Sequence, residues 1–287
     1  MPMVAQQTPY TLFIVDDNEP MNPREDNDNF GKMFCWHKRY NLGDDHDYNA
    51  PDDFLIDLCD KTVPKNEIFQ MIIDSKFENI RVEPDEENIK AYHVKSYSDY
   101  FDKWYIEETY ETPPLDISEE IVDISLQFLK NSELLRVLRN YNVILPLYLY
   151  DHSGISMNTA GFSCPWDSGQ VGWIYVGNSM IENEYGTVTP ETIAKAENVL
   201  KSEVELYDYF LSGQCYGFKL YEGDNKIINY WGFFGSIVDM PKNIKEYLPS
   251  ECENIIEFLQ YESDINEDEY LEQTLNYENE DEEDMEI

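Results

Sequence analysis

The chain has 287 residues and a formal charge of -39, from 59 Asp and Glu against 20 Lys and Arg. Such a field repels nucleic acid and anionic membrane surfaces and favours basic partners. A composition of 42% hydrophobic and 14% aromatic residues excludes a wholly disordered acidic chain.

Tyr10–Val15 reads as a short apolar strand, followed by an acidic turn region with Pro20 and Pro23. Phe30–Tyr40 combines Phe30, Met33, Phe34, Trp36 and Tyr40 with Lys38 and Arg39, and Asn41–Pro51 is a polar loop. Pro51–Asp53 supplies the Pro and acids of a helix start, and Phe54, Leu55, Leu58 and Cys59 continue it. Asn66–Lys76 reads as a second helix, with a strand at Met71–Ile73 as the alternative. Tyr97, Tyr100, Phe101, Trp104 and Tyr105 have helical spacing and predict a helix over Tyr97–Glu108. Thr112-Pro113-Pro114 marks the expected boundary, giving regions 1–112, 113–261 and an acidic, disordered tail at 262–287. Asp116 and Glu119 have capping-box spacing. Ile117–Leu129 and Glu133–Arg139 form one helix or two, with Asn131-Ser132 as the break.

In the second half, Val143–Tyr150 and Val171–Val176 read as strands, with Pro146 marking an edge or bulge. Thr189-Pro190-Glu191 opens a long helix that Gly213 closes. Cys215–Tyr221 and Lys226–Trp231 form a hairpin, and Asn243–Leu248 and Glu251–Leu259 are short helices. Trp231-Gly232-Phe233-Phe234-Gly235 reads as a buried strand end or tight turn, with an exposed hot spot as the alternative. The expected class is α+β, a mixed or antiparallel sheet flanked by helices. Five scattered Cys, no Cys-x-x-Cys pair and no secretory pattern in Met1–Gln7 predict a cytoplasmic protein, and no apolar run has membrane-span length.

Asp151, His152, Ser153 and Cys164 offer the groups of a hydrolase. Adjacent strand residues face opposite ways, so Asp151, His152 and Ser153 form no triad among themselves. A nucleophile at Cys164 or Ser153 with His152 as base requires the loop to fold back. The structural alternative makes these residues turn formers beside Trp166 and Trp173. Asp44-Asp45-His46-Asp47 carries metal-type donors, but four consecutive residues cannot close a coordination shell, and a solvated turn is expected. Phosphate-loop and zinc patterns are absent, so no cofactor or metal is expected.

Asn29–Asp44, containing Phe34-Cys35-Trp36-His37-Lys38-Arg39-Tyr40, resembles the N-terminal signature of a family of acidic proteins carried by bacteriophages, plasmids and Gram-positive mobile elements. The similarity continues at Leu149–Ser153, Pro165–Tyr175, Gly213–Gly217 and Trp231–Gly235. The resemblance implies a genetic setting and supplies no catalytic position. Acidic proteins of that setting include anti-defence factors that imitate DNA. The expected function is therefore an inhibitor that occupies the basic groove of a host restriction or CRISPR enzyme, without binding nucleic acid itself. Glu251, Glu253 and Glu257, or Glu197, Glu203 and Glu205, are candidate helical rows of acid, and Asp264, Glu267, Asp268 and Glu269 add tail contacts. A small hydrolase and an acidic accessory protein are the alternatives.

Overall fold

The computed structural model describes residues 2–25, 28–88, 90–262 and 266–272. In chain order the elements are β1 (Met3–Gln7), β2 (Tyr10–Asp16), β3 (Lys32–Cys35), α1 (Pro51–Thr62), α2 (Lys65–Ile73), β4 (Ile80–Pro84), β5 (Tyr92–Ser98) and β6 (Lys103–Tyr110). They continue with α3 (Ser118–Leu126), α4 (Asn131–Leu138), β7 (Asn142–Asp151), β8 (Ile155–Asn158), β9 (Ser168–Gly177), α5 (Asn178–Tyr185) and α6 (Pro190–Leu211). Last come β10 (Cys215–Glu222), β11 (Asn225–Phe234), α7 (Met240–Ile244) and β12 (Gln260–Tyr261). Short 3-10 helices occupy Pro114–Ile117, Lys245–Tyr247 and Glu253–Phe258. The class is α+β, with antiparallel strand pairs and flanking helices.

Two compact units interleave along the chain. The first comprises the described residues of Met1–Asn29, Tyr148–Gly169 and Lys201–Ile287, and the second comprises those of Phe30–Leu147 and Gln170–Leu200. The boundary expected at Thr112–Pro114 falls inside the second unit. The two prolines there form a 3-10 turn instead of a linker, and Ile117 caps α3, so the Asp116/Glu119 capping box does not form.

The first unit is built on a sheet ordered β11-β10-β2-β1-β12. Its central strand β2 carries the apolar run Leu12–Val15, as expected where both faces are covered. Leu12, Ile14, Phe218 and Leu220 pack against Met240, Ile244, Cys252 and Ile255. On the other side Phe13 and Val4 meet Tyr221 and Leu271. Phe13 has Tyr221 and Tyr270 edge-on at 5.7 and 5.6 Å. Within the expected tail, the described residues 267–272 are helical and dock through Tyr270 and Leu271. Residues 273–287 lie outside the described ones.

The second unit packs α1 to α4 around Phe54, Leu55, Ile68, Ile121 and Leu138, together with Ile80, Val94 and Trp173 from strands. Two helices, α3 and α4, replace the alternative of one. The Glu133 carboxylate accepts the Lys130 backbone N–H at 3.1 Å and starts α4 afresh. The helix expected over Tyr97–Glu108 is instead the β5–β6 hairpin. Tyr97 pairs across it with Trp104, their rings 5.3 Å apart. Helical spacing and a tight hairpin bring the same residues together here. β-prone Tyr, Trp, Ile and Thr side chains flanking a turn bounded by Asp99 and Asp102 favour the strands, and Asp102 takes a left-handed φ of 50° in that turn.

Candidate functional site

The hydrolase candidates lie on the β7–β8 connection and the approach to β9. Asp151 pairs with Ile155, so His152, Ser153 and Gly154 make a three-residue turn. Ser153 has φ 58°, and the His152 backbone N–H donates to the Gly154 carbonyl at 3.0 Å. The loop does fold back: the Asp151 N–H donates to the Asp167 carbonyl at 2.8 Å. Asp167, however, stands between the candidate nucleophile and base. Its Oδ2 accepts the Cys164 thiol at 3.4 Å and lies 3.6 Å from His152 Nδ1. Cys–His catalysis requires the imidazole against the thiol. The contacts found here join one loop to another through a shared carboxylate, and the His152 side chain remains 62% exposed. Ser168 Oγ donates to the Cys164 carbonyl at 2.5 Å and completes the tie.

In the Asp44–Asp47 turn Asp45 and Asp47 are exposed, as expected of a solvated turn, while Asp44 and His46 are tied into the fold. Asp44 Oδ2 accepts the Met33 N–H at 3.0 Å, and the Asp44 N–H returns a bond to the Met33 carbonyl at 2.7 Å. His46 packs 4.8 Å from Trp36 and 5.1 Å from Phe34, and its Nε2 donates to the Cys35 carbonyl at 3.0 Å. Among the described residues no group of three or more His, Cys, Asp or Glu side chains is arranged to hold a metal ion. Gly172 lets β9 approach β3: a Cβ there would lie 2.0 Å from the Phe34 carbonyl oxygen.

The acids expected to form rows divide into two groups. Glu203 is turned inward to Arg24, Oε2 to Nη1 3.0 Å, with side-chain exposures of 13% and 1%. Glu267 accepts from Lys219 Nζ at 2.5 Å and from the Tyr221 hydroxyl at 3.1 Å, which locks residues 267–272 onto β10. Glu253 and Glu257 sit on a 3-10 helix, where positions three apart align and positions four apart are rotated by about 120°. They therefore form no row. Glu251, Glu257, Asp268 and Glu269 are exposed, as is Glu205 on α6, whereas Glu197 is half-buried. Asp264 lies outside the described residues.

The feature that sequence reasoning underrated is Trp231. β11 is the sheet's edge strand, and its pairing with β10 shifts register twice, between Tyr216 and Phe218 and between Leu220 and Tyr221. At the first shift Gly232 takes φ 83°, a bulge of the kind that re-aims side chains. The indole of Trp231 lies over Gly217, where a Cβ would come within 2.3 Å of the ring. The ring remains 45% exposed, so this block is not a buried strand end. Lys219 Nζ lies 5.3 Å from the ring centroid.

Two clefts adjoin Trp231. One, of about 620 Å³, is lined by Trp231, Phe234 and Met21 together with Asp16, Asp17 and Glu19. Asp17 is fixed there: its N–H donates to the Cys215 carbonyl at 2.8 Å, and its Oδ1 accepts the Glu19 N–H at 3.1 Å. Burial, then the Asp17 carboxylate, pushes the Cys215 thiol up to about 11. The other cleft, of about 1060 Å³, combines Tyr230, Phe233 and Tyr247 with Lys242, Lys245 and Glu253. The signal in the sequence was the pairing of a bulky residue in Trp231-Gly232 with a bare Gly217, visible only once the strands were in register.

Compared with protein-family models, with curated proteins and with solved structures, the chain gives no match.

Proposed function

We propose that this protein is a non-enzymatic inhibitor that captures a basic, nucleic-acid-binding partner through its charge. The setting implied by the sequence resemblance makes that partner a host restriction or CRISPR enzyme in the bacterial cytoplasm. The observation that carries the reading is the surplus of acid on a folded body. Part of the positive charge is used in internal pairs: Lys61 with Asp57, Lys65 with Asp60 and Asp123, Lys95 with Glu83, Lys130 with Asp99, and Lys219 with Glu267. The remaining carboxylates outnumber the remaining cations. Where carboxyls are displaced, as at Glu83 by Lys95, Asp85 by the Glu87 and Asn88 backbone N–H groups, and Glu191 by Lys195, the displacement is downward and keeps them ionised.

The internal use of Glu203 and Glu267 argues against one rigid helical row that copies the phosphate spacing of a duplex. A distributed field still steers a basic partner and competes with nucleic acid for it. No helix among the described residues is long and apolar enough to cross a membrane.

The test is capture from a host lysate at low salt and at about 1 M NaCl, where the screening length falls to ~3 Å. Each captured protein is then challenged with duplex DNA. The expected result is a nucleic-acid-binding protein released by salt and displaced by DNA. Capture that ignores salt, or partners that DNA does not displace, would overturn the reading.

A further inference from the structure

We infer that the 620 Å³ cleft beside Trp231 receives an arginine side chain from the basic partner. The inference rests on the binding-protein reading above and names the contact chemistry within it. The cleft has an apolar floor and acidic walls. Trp231 and Met21 are 45% and 87% exposed, which sets an open apolar floor directly beside three carboxylates. Gly217 leaves room for the indole to lie against the sheet, so the ring forms a platform there.

Charge decides what the platform receives. Asp16, Asp17 and Glu19 line this cleft, and no cation does. An anion would meet three carboxylates, whereas a cation gains both the ring face and the acids. Lys219 already brings one ammonium to the indole from within the chain. A guanidinium fits better than an ammonium, because it stacks flat on an aromatic face and forks onto carboxylate oxygens. The cleft on the other side carries Lys242 and Lys245 and lacks this polarity.

The edge of β11 suggests a competing mode, in which the partner adds a strand to the sheet. The two register shifts argue against it, because bulges interrupt the regular ladder that a docking strand would need. Recognition by an inserted side chain remains, and tryptophan and arginine are the residues most enriched where binding energy concentrates.

The full chain should be titrated against a fluorescein-labelled octa-arginine peptide by fluorescence anisotropy, with octa-lysine alongside. Trp231→Ala should weaken the arginine peptide by about 30-fold, the loss of a single hot spot of ~2 kcal/mol. Glu19→Lys should weaken it by about 10-fold, while Glu184→Lys, an exposed site with the same change of charge, should change it by less than about 3-fold. Octa-lysine should bind more weakly than octa-arginine to the wild type and be less affected by Trp231→Ala.

Equal losses in Glu19→Lys and Glu184→Lys would mean diffuse attraction and overturn the inference, as would unchanged binding in Trp231→Ala or no binding by the wild type. Glu19 is an exposed loop residue, so its variant decides the matter even if Trp231→Ala proves unfolded. A failure here leaves the lysate experiment to judge capture of a basic host protein on its own. A failure there, with the peptide bound as expected, would leave the cleft assigned and the defence-enzyme partner rejected.

Discussion

Gly172→Ala and Gly217→Ala are the same chemical change and should have different consequences, because what blocks the new methyl differs. At Gly172 the obstacles are backbone: the Phe34 carbonyl oxygen at 2.0 Å and Cys35 Cα at 2.9 Å from the added carbon. Ordinary contact lies at ~3.5–4.0 Å, so β3 and β9 must separate by more than ~1 Å. That opens the ladder at Cys35–Gly172 and the adjoining bond from the Trp36 N–H to the Val171 carbonyl, now 2.7 Å. Losing about three such bonds at ~1 kcal/mol each costs ~3 kcal/mol. Neither glycine has a positive φ, so alanine returns ~0.4–1 kcal/mol by restricting the unfolded chain. The net loss is ~2–3 kcal/mol at Gly172, a fall in Tm of ~4–12 °C for a domain of this size.

At Gly217 the obstacle is the Trp231 ring, 2.3 Å away but half exposed and able to lift. The net cost there should stay below ~1 kcal/mol, because relocating one partly exposed side chain avoids backbone strain. Octa-arginine binding should nevertheless fall in Gly217→Ala, because the platform has moved, and hold in Gly172→Ala at temperatures where that variant is folded. Thermal melts and anisotropy titrations read both quantities. A Gly172→Ala protein no less stable than Gly217→Ala would refute the argument from close approach.

Arg24→Met removes the guanidinium from a nearly buried Glu203 and should cost ~3–5 kcal/mol in denaturant unfolding, and a neutral result would show the pair to be incidental. In the folded protein one thiol, Cys164, should react rapidly with a thiol reagent; the other four are buried, with Cys59 pushed up to about 12 by burial, and a second fast thiol would contradict the fold. The Tyr48 phenol is pushed up to about 12 by burial and by its hydrogen bond to Asp57. Its folded value lies above its unfolded one, so its stabilisation is complete below ~10 and fades as pH rises from there towards about 12. Tyr48→Phe should flatten that part of a Tm–pH curve, and an unchanged slope would remove Tyr48 from the account. His152→Ala combined with Cys164→Ala should leave stability within about 1 kcal/mol and peptide binding unchanged, as expected for surface positions, and loss of the protein's biological activity in this folded variant would restore the hydrolase reading.

Elements with a local cause were legible in the sequence. Thr189 does cap α6, its Oγ1 accepting the Thr192 N–H at 3.2 Å, and Glu222 pairs with Asn225 across the expected β10–β11 turn. Pro51 opens α1 as its composition required. At Tyr97–Tyr105 one spacing fits both a helix face and a hairpin, so the pattern alone does not separate them. The inward turn of Glu203 depends on Arg24, 179 positions away, and Glu267 meets Lys219 at a separation of 48. No periodicity within a helix reports such partners. The apolar neighbours of Trp231 predict a buried strand end or tight turn, with exposure as the alternative; the bulge at Gly232 and the bare Gly217 that expose it belong to strand register.

These placements change what the charge of -39 can do. Acids such as Glu203, Glu267 and Asp57 hold the fold and contribute little to an outer field, since each sits against its own cation. The rest repel one another across a body kept together by an aromatic-rich core, and that repulsion lowers the stability of the free protein. A basic partner removes part of the repulsion when it binds. Binding to the folded form alone must raise apparent stability by mass action. The same coupling separates a functional charge from a merely solubilising one. Salt alone should stabilise the free protein by screening its self-repulsion, while weakening its hold on the partner. Opposite responses to one variable are expected only if the same carboxylates serve both roles.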